Sequence, residues 1–231
     1  VDNNDLAAIK MEVERSNPPE NDFLEKVRDL CDKKNIILIF DECTSGFRET
    51  FGGIHKKYKI YPDLLMLGKA MGNGYPITSI LGRKKFINMV SNCFVSSTFW
   101  TEKSGAVAAL KTIEIMQRDK TYKKIKNIGQ KIKKIWQQLS TKHQLKIKIY
   151  GLDSIPCFQF LYKNHLAYKT FLTQEMLKNR ILATTQIYIS IAHEQKHLQN
   201  YKNKLDNIFK SISEFEKKNI PVNRFLESKI S

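Results

Sequence analysis

Residues 36–41 read IILIFD and residues 64–69 read LLMLGK, and these two stretches decide the fold of the 231-residue chain. The first is apolar at every position from Ile36 to Phe40, rich in β-branched side chains, and is ended by Asp41. An unbroken apolar run of that length is the pattern of a strand covered on both faces in a parallel sheet. The second run lies between Pro62-Asp63 and Gly68, reads as another buried strand, and is followed by Lys69. Upstream, Asp22 and Glu25 have the spacing of a helix-starting capping box, and Phe23, Val27, Leu30 and Cys31 recur at helical intervals. A helix over about 22–34 is therefore expected, giving an α/β alternation.

The alternation continues outward. A glycine-rich turn at 72–76 (GNGYP) is followed by a short apolar stretch at 77–81 and by a helical pattern beginning near Ser104. Beyond Arg118 the pattern changes. Tyr122, Ile125, Ile128, Ile132, Ile135 and Leu139 form a narrow helical stripe. Three strand patterns follow (145–149, 155–162 and 187–191), then a last helix carrying Leu198, Tyr201, Leu205, Ile208, Phe209, Ile212 and Phe215. Two domains are expected, an α/β part over 1–118 and an α+β part over 119–231.

Composition narrows the function classes. Lys and Arg number 39 against 23 Asp and Glu, a formal charge of +16. Residues 1–118 hold 17 basic and 15 acidic side chains, while residues 119–231 hold 22 and 8. The excess thus belongs to amphipathic helices in the second part, where lysines form solvated faces, and no nucleic-acid motif accompanies them. No apolar run approaches the length that spans a bilayer. Cys31, Cys43, Cys93 and Cys157 lie far apart with no CxxC pair, which argues against a disulfide framework or thiolate zinc site and fits a reducing cytoplasm. The first residue is Val1, and an apolar segment begins almost at once, as in a chain cut from a longer one.

Asp41 and Lys69 each stand at the C-terminal end of an expected strand, the edge where ligands bind in open α/β sheets. Gly68, Gly72 and Gly74 let backbone come close to a ligand there. An amine and a carboxylate in one cleft suit pyridoxal phosphate, the amine condensing with its aldehyde and the carboxylate keeping its ring nitrogen protonated. On spacing alone, a turn aspartate and a solvated lysine are the commoner outcome.

The wording of the segments goes further. Residues 36–48 (IILIFDECTSGFR), 61–76 (YPDLLMLGKAMGNGYP) and 96–110 (SSTFWTEKSGAVAAL) closely resemble class III pyridoxal-phosphate-dependent aminotransferases, near the glutamate-1-semialdehyde aminomutase branch. Residues 6–12, 23–32 and 187–193 extend the resemblance over most of the chain. The resemblance implies a fold-type-I transferase, here part of the large cofactor-binding domain and a small C-terminal domain. It makes Lys69 the Schiff-base lysine that forms the internal aldimine, Asp41 the partner of the pyridinium nitrogen and Thr98 a phosphate ligand reaching the neighbouring subunit's site. A homodimer acting on a small amino donor and a carbonyl acceptor follows. Cys43 stands where the family packs a small aliphatic side chain on the ring. Glu12-Val13 replaces the family's Glu-Pro, and residues 100–103 (WTEK) replace its Ser-Gly-Asn-Pro, a variation associated with carbohydrate-biosynthetic members. Thr185 stands where true aminomutases carry a glutamate, which favours amino-group transfer over intramolecular isomerisation. The family's glycine-serine or glycine-threonine phosphate cup and ring-stacking aromatic are absent from this sequence, so an inactive fragment or accessory chain is the alternative from the binding class.

One motif competes. His193-Glu194-Gln195-Lys196-His197 matches the HExxH pattern of zinc hydrolases. The alternating pattern at 187–191 argues that no helix is under way before His193, so His193 reads as a junction residue and His197 as exposed. His55, His143 and His165 have no partners at informative spacing and read as surface residues.

Overall fold

The structure, a computed structural model, describes residues 6–99 and 101–230. These form two compact units, Val1–Lys123 and Lys124–Ser231.

In the first unit, strands β1 (Ala8–Met11), β2 (Ile37–Asp41), β3 (Leu64–Leu67) and β4 (Ser79–Gly82) make one sheet in the order β1-β2-β3-β4. The first three are parallel, with Lys10 opposite Ile39, Ile39 opposite Leu64 and Asp41 opposite Met66. β4 returns antiparallel on β3, so the apolar stretch at 77–81 closes the sheet edge. Helix α1 (Phe23–Lys34) connects β1 to β2. It ends because Asn35 turns left-handed at φ 58° and donates its N–H to the Cys31 carbonyl, with Lys33 and Lys34 suiting the negative end of the helix. Its start departs from expectation. Asp22 is itself left-handed at φ 56° and makes no side-chain cap, since capping needs an extended backbone at that residue.

The sheet is also less enclosed than an unbroken apolar run implies. In β2, Leu38 and Phe40 are fully buried, whereas Ile37, Ile39 and Asp41 are only half-buried; in β3 only Leu67 is buried. Because side chains alternate along a strand, the half-open face is the one that carries Asp41. At the other end of the strands, buried Asp63 accepts the Leu38 N–H at 2.9 Å and pairs with Arg28 at 3.0 Å and Arg83 at 3.2 Å. That network fixes α1 and β4 to the strand starts and leaves the strand ends free for chemistry. A short helix α2 (Lys84–Ile87) and the long α3 (Ser104–Asp119) complete the unit.

In the second unit, α4 (Thr121–His143), β5 (Ile147–Tyr150), β6 (Cys157–Phe160), α5 (His165–Lys178) and α6 (Gln195–Lys217) surround one aromatic core. Trp136, Phe158 and Phe209 are fully buried, and the Trp136 indole N–H donates to the Tyr201 hydroxyl at 2.8 Å. Helix α5 has no counterpart in the sequence reading. Its buried residues, Ala167, Tyr168, Thr170, Phe171, Leu172 and Met176, lie around the helix rather than along a stripe, so no amphipathic signal marks it. The expected strand at 187–191 is not a regular strand. Its alternation reflects contact with the sheet edge through Ile187 N–H to the Pro156 carbonyl (3.1 Å), Ile189 N–H to the Ser154 carbonyl (3.0 Å) and one isolated bridge at Gln186.

Candidate active site

Asp41 is the last residue of β2, and Lys69 follows β3 after Gly68. Neighbouring strands lie about 4.8 Å apart, so the register of Asp41 opposite Met66 brings carboxylate and amine to one rim. Residues 42–44 link them. The Cys43 N–H donates to Asp41 Oδ1 at 3.2 Å, and Lys69 Nζ donates to Thr44 Oγ1 at 2.7 Å. Thr44 is buried, and the Cys43 thiol is within electrostatic reach of both Asp41 and Lys69. Burial, then the Asp41 carboxylate, pushes that thiol above its ordinary range, which keeps it neutral.

A second network holds residues 42–44 in place. Glu42 is fully buried, and its carboxylate accepts the backbone N–H of Ile54, the N–H of His55 at 3.0 Å and a 2.7 Å contact with His55 Nδ1. His55 is thus a buried structural partner, not a surface residue. His143 is likewise paired, with Asp206 at 2.6 Å. A histidine's partner across a loop or helix pair leaves no local spacing signal, which is why sequence periodicity missed both.

Asp41 Oδ2 pairs with Lys10 of β1 at 3.0 Å. The Lys10 ammonium, followed by the Cys43 N–H, holds the Asp41 carboxyl below its ordinary value against the opposing effect of burial. Neither Lys10 nor Thr44 was found from the sequence. Parallel register alone could have exposed Lys10, because it places Lys10 beside Ile39 on the face of Asp41.

Lys69 is exposed on the rim, not buried as its role as a base would suggest, and its backbone is left-handed at φ 45°. A lysine held there without glycine's freedom is strained, and such strain clusters at functional positions. The neighbouring glycines serve the chain more than a ligand. A side chain at Gly72 would sit 2.3 Å from the Tyr75 carbonyl oxygen, and Gly74 supplies φ 104° for the turn.

Thr98 lies in an exposed turn, within a segment (91–99) whose residues are all exposed. Among the described residues no hydrogen bond joins it to Asp41 or Lys69. Trp100, part of the WTEK variation, lies outside the described residues. The HExxH stretch is used for helix capping. Glu194 is the N-cap of α6, its carboxylate accepts the His197 N–H, and His197 Nδ1 accepts the Glu194 N–H at 3.1 Å. His193 stands outside the helix, its Nδ1 accepting the Ser190 N–H, and burial followed by His197 pushes its imidazole below the ordinary value. The two imidazoles therefore do not share a helical face, and no cluster of three metal-ligating side chains occurs among the described residues.

Comparison with known proteins bears on the family and the fold. The chain is 34% identical over 157 residues to the 3-aminobutyryl-CoA aminotransferase of Cloacimonas acidaminovorans, covering 68% of this chain and 38% of that protein. It is 29% identical over 234 residues to the glutamate-1-semialdehyde 2,1-aminomutase of Saccharolobus islandicus, covering 91% and 54%. The chain thus spans about half or less of the length of these relatives. Among solved structures, the FumI protein of Sphingopyxis sp. MTA144, in its PLP internal aldimine form, superposes with a TM-score of 0.84 at 22% identity over 93% of this chain and 54% of that one. An omega-transaminase from Sphaerobacter thermophilus gives 0.80 at 17% identity over 87% and 51%. The fold is therefore that of the fold-type-I transaminases. Residues 3–165 match the family model of class-III aminotransferases, and the chain belongs to that family.

Proposed function

We propose that the protein containing this chain uses pyridoxal 5′-phosphate to transfer an amino group between a small amino donor and a keto or aldehyde acceptor. The observation that carries this reading is the pairing, on one sheet rim, of the strained Lys69 amine and the ionised Asp41 carboxylate, joined through residues 42–44. The donor set fits the cofactor: a primary amine for its aldehyde, an ionised carboxylate for its ring nitrogen, and the uncharged Cys43 side chain between them to pack on the ring. When bound, the cofactor supplies an aldehyde carbon and an electron-accepting ring.

Each residue then has a defined task. Lys69 would hold the cofactor through its amine and, when that amine is free, would serve as the base that moves a proton at the substrate carbon. Thr44 Oγ1 holds the Lys69 nitrogen on the rim. Asp41 would hold the ring nitrogen and favour its protonated form. Glu42, through residues 54–55, holds the loop that carries Cys43 and Thr44.

We assign the first unit to the large cofactor-binding domain and the second to the small domain, and place Thr98 as a phosphate ligand for the neighbouring subunit of a homodimer. Its exposure, and that of Phe94 at 98% and Phe99 at 75% beside it, support a segment that is covered by another chain. Four free thiols support a cytoplasmic setting, and no helix among the described residues is long and apolar enough to cross a membrane.

In the intact protein, Lys69→Ala should abolish both turnover and dialysis-resistant cofactor absorbance while the far-ultraviolet circular dichroism stays unchanged. Retained covalent cofactor in that variant would refute the assignment. Transformation of a semialdehyde without any second substrate would replace transfer with the aminomutase reading, which the 91% alignment to an aminomutase supports.

A further inference from the structure

The Asp41 carboxylate has a second claimant inside the chain. Both of its oxygens are engaged: Oδ1 by the Cys43 N–H at 3.2 Å and Oδ2 by the Lys10 ammonium at 3.0 Å. The geometry explains why only a long side chain does this. In the β1–β2 register Lys10 lies opposite Ile39, and Asp41 is two residues farther along on the same face. The separation is about 4.8 Å across strands and roughly 6.6 Å along them, which the four-carbon stem of lysine bridges while its head stays half in water. The Lys10 side chain is 55% exposed and that of Asp41 25%. Lys10 is therefore free to swing away, unlike the backbone donor at Cys43.

We propose that Lys10 is a positioning residue that competes with the ring nitrogen of pyridoxal phosphate for Asp41, weakening cofactor binding and lowering the ring nitrogen's basicity. The inference rests on the reading of Asp41 as the partner of that nitrogen. A carboxylate that already neutralises one cation offers less negative potential to a second, and two cations on one carboxylate repel each other. The charged group that acts on Asp41 is Lys10 from β1; Lys69 beyond β3 acts on the Cys43 thiol, which stays neutral. Lys10 is the only one of these that contacts the carboxylate and has no covalent role, so it is the group through which cofactor occupancy is tuned.

The test measures pyridoxal phosphate dissociation constants by absorbance titration of the intact protein, stripped of cofactor, for the wild type, Lys10→Met and Lys10→Arg. Lys10→Met should bind the cofactor roughly two- to fivefold more tightly, the span of an exposed ion pair. Its cofactor band should also keep its low-pH form to a higher pH. Lys10→Arg, which keeps the charge and the reach, should match the wild type. Equal or weaker binding by Lys10→Met, with a normal Lys69-dependent band in both proteins, would overturn the role of Lys10 and leave the site assignment standing. A wild type with no Lys69-dependent band would overturn both.

Discussion

The two units solve burial differently. In residues 124–231 the core closes on itself: Phe158 packs against Trp136, Phe160 and Phe209 with ring centroids 4.8, 5.4 and 5.8 Å apart, and the polar end of Trp136 finds Tyr201 inside the same cluster. In the first unit the sheet buries one face and leaves the other half-open, and large apolar side chains between residues 80 and 110 stand exposed. The open face is the one that carries Asp41. The aromatic core makes the second unit a scaffold, although it too exposes large apolar side chains, Leu182 at 91%; the first differs in carrying a charged rim on the half-open face of its sheet.

The largest test of that contrast is Phe158→Ala. Removing a fully buried ring from three aromatic contacts should cost about 3–5 kcal/mol of stability, measured by denaturant unfolding. A cost below about 1 kcal/mol would mean that the second unit does not hold a close-packed core and that the contrast is false.

A smaller effect compares two ion pairs of the same chemistry, Lys10–Asp41 at the open rim and Lys142–Asp206 in the closed unit. The Lys142 ammonium, with His143 adding to it, holds the Asp206 carboxyl below its ordinary value. A carboxyl lowered on folding contributes stability above its unfolded value and loses that contribution as pH falls through its folded one. Asp206→Asn should therefore cost about 0.2–1 kcal/mol at neutral pH, the range of a surface pair. The difference between wild-type and variant stabilities should begin to shrink below about pH 4, the unfolded value, and close only below the lowered folded one. A constant difference down to pH 2 would show that the carboxylate charge is not what Asp206 contributes. This pair has no cofactor to compete with, which makes it the control for Lys10.

Sequence legibility follows the same division. Strands β2 and β3 were legible because Ile36–Phe40 and Leu64–Leu67 are apolar without interruption, and Asp41 and Lys69 were legible because they end those runs. Helices α4 and α6 were legible from stripes of one helical period. What escaped has two physical causes, a partner that lies far away in the chain and burial on more than one side. Lys10 meets Asp41 only through strand register, His55 meets Glu42 only when residues 42–55 fold back, and α5 is buried on several sides, which erases its stripe. The pattern at 187–191 failed in the opposite direction, since alternation there records which side chains face the core of the second unit without a continuous hydrogen-bond ladder. The Asp22–Glu25 spacing failed because a capping box depends on backbone angles that two left-handed residues, Asn21 and Asp22, do not provide.

The smallest effect on stability should come from the uncovered segment of the first unit, and there its smallness is the point. Phe94 is 98% exposed, so it contributes almost no buried area within the chain. Phe94→Ser should leave unfolding within about 0.5 kcal/mol of wild type, because no cavity forms and no hydrogen bond is lost. A ring held fully in water is nevertheless unfavourable by roughly 1.5–3 kcal/mol relative to burial, and association with a second copy would recover that energy. The same substitution should therefore weaken self-association, read as a rise in the monomer fraction by analytical ultracentrifugation of the intact protein. If monomer and dimer fractions stay unchanged while Phe158→Ala is as costly as expected, the second unit keeps its place as scaffold. The uncovered apolar segment of the first would then be serving something other than a second copy of the chain.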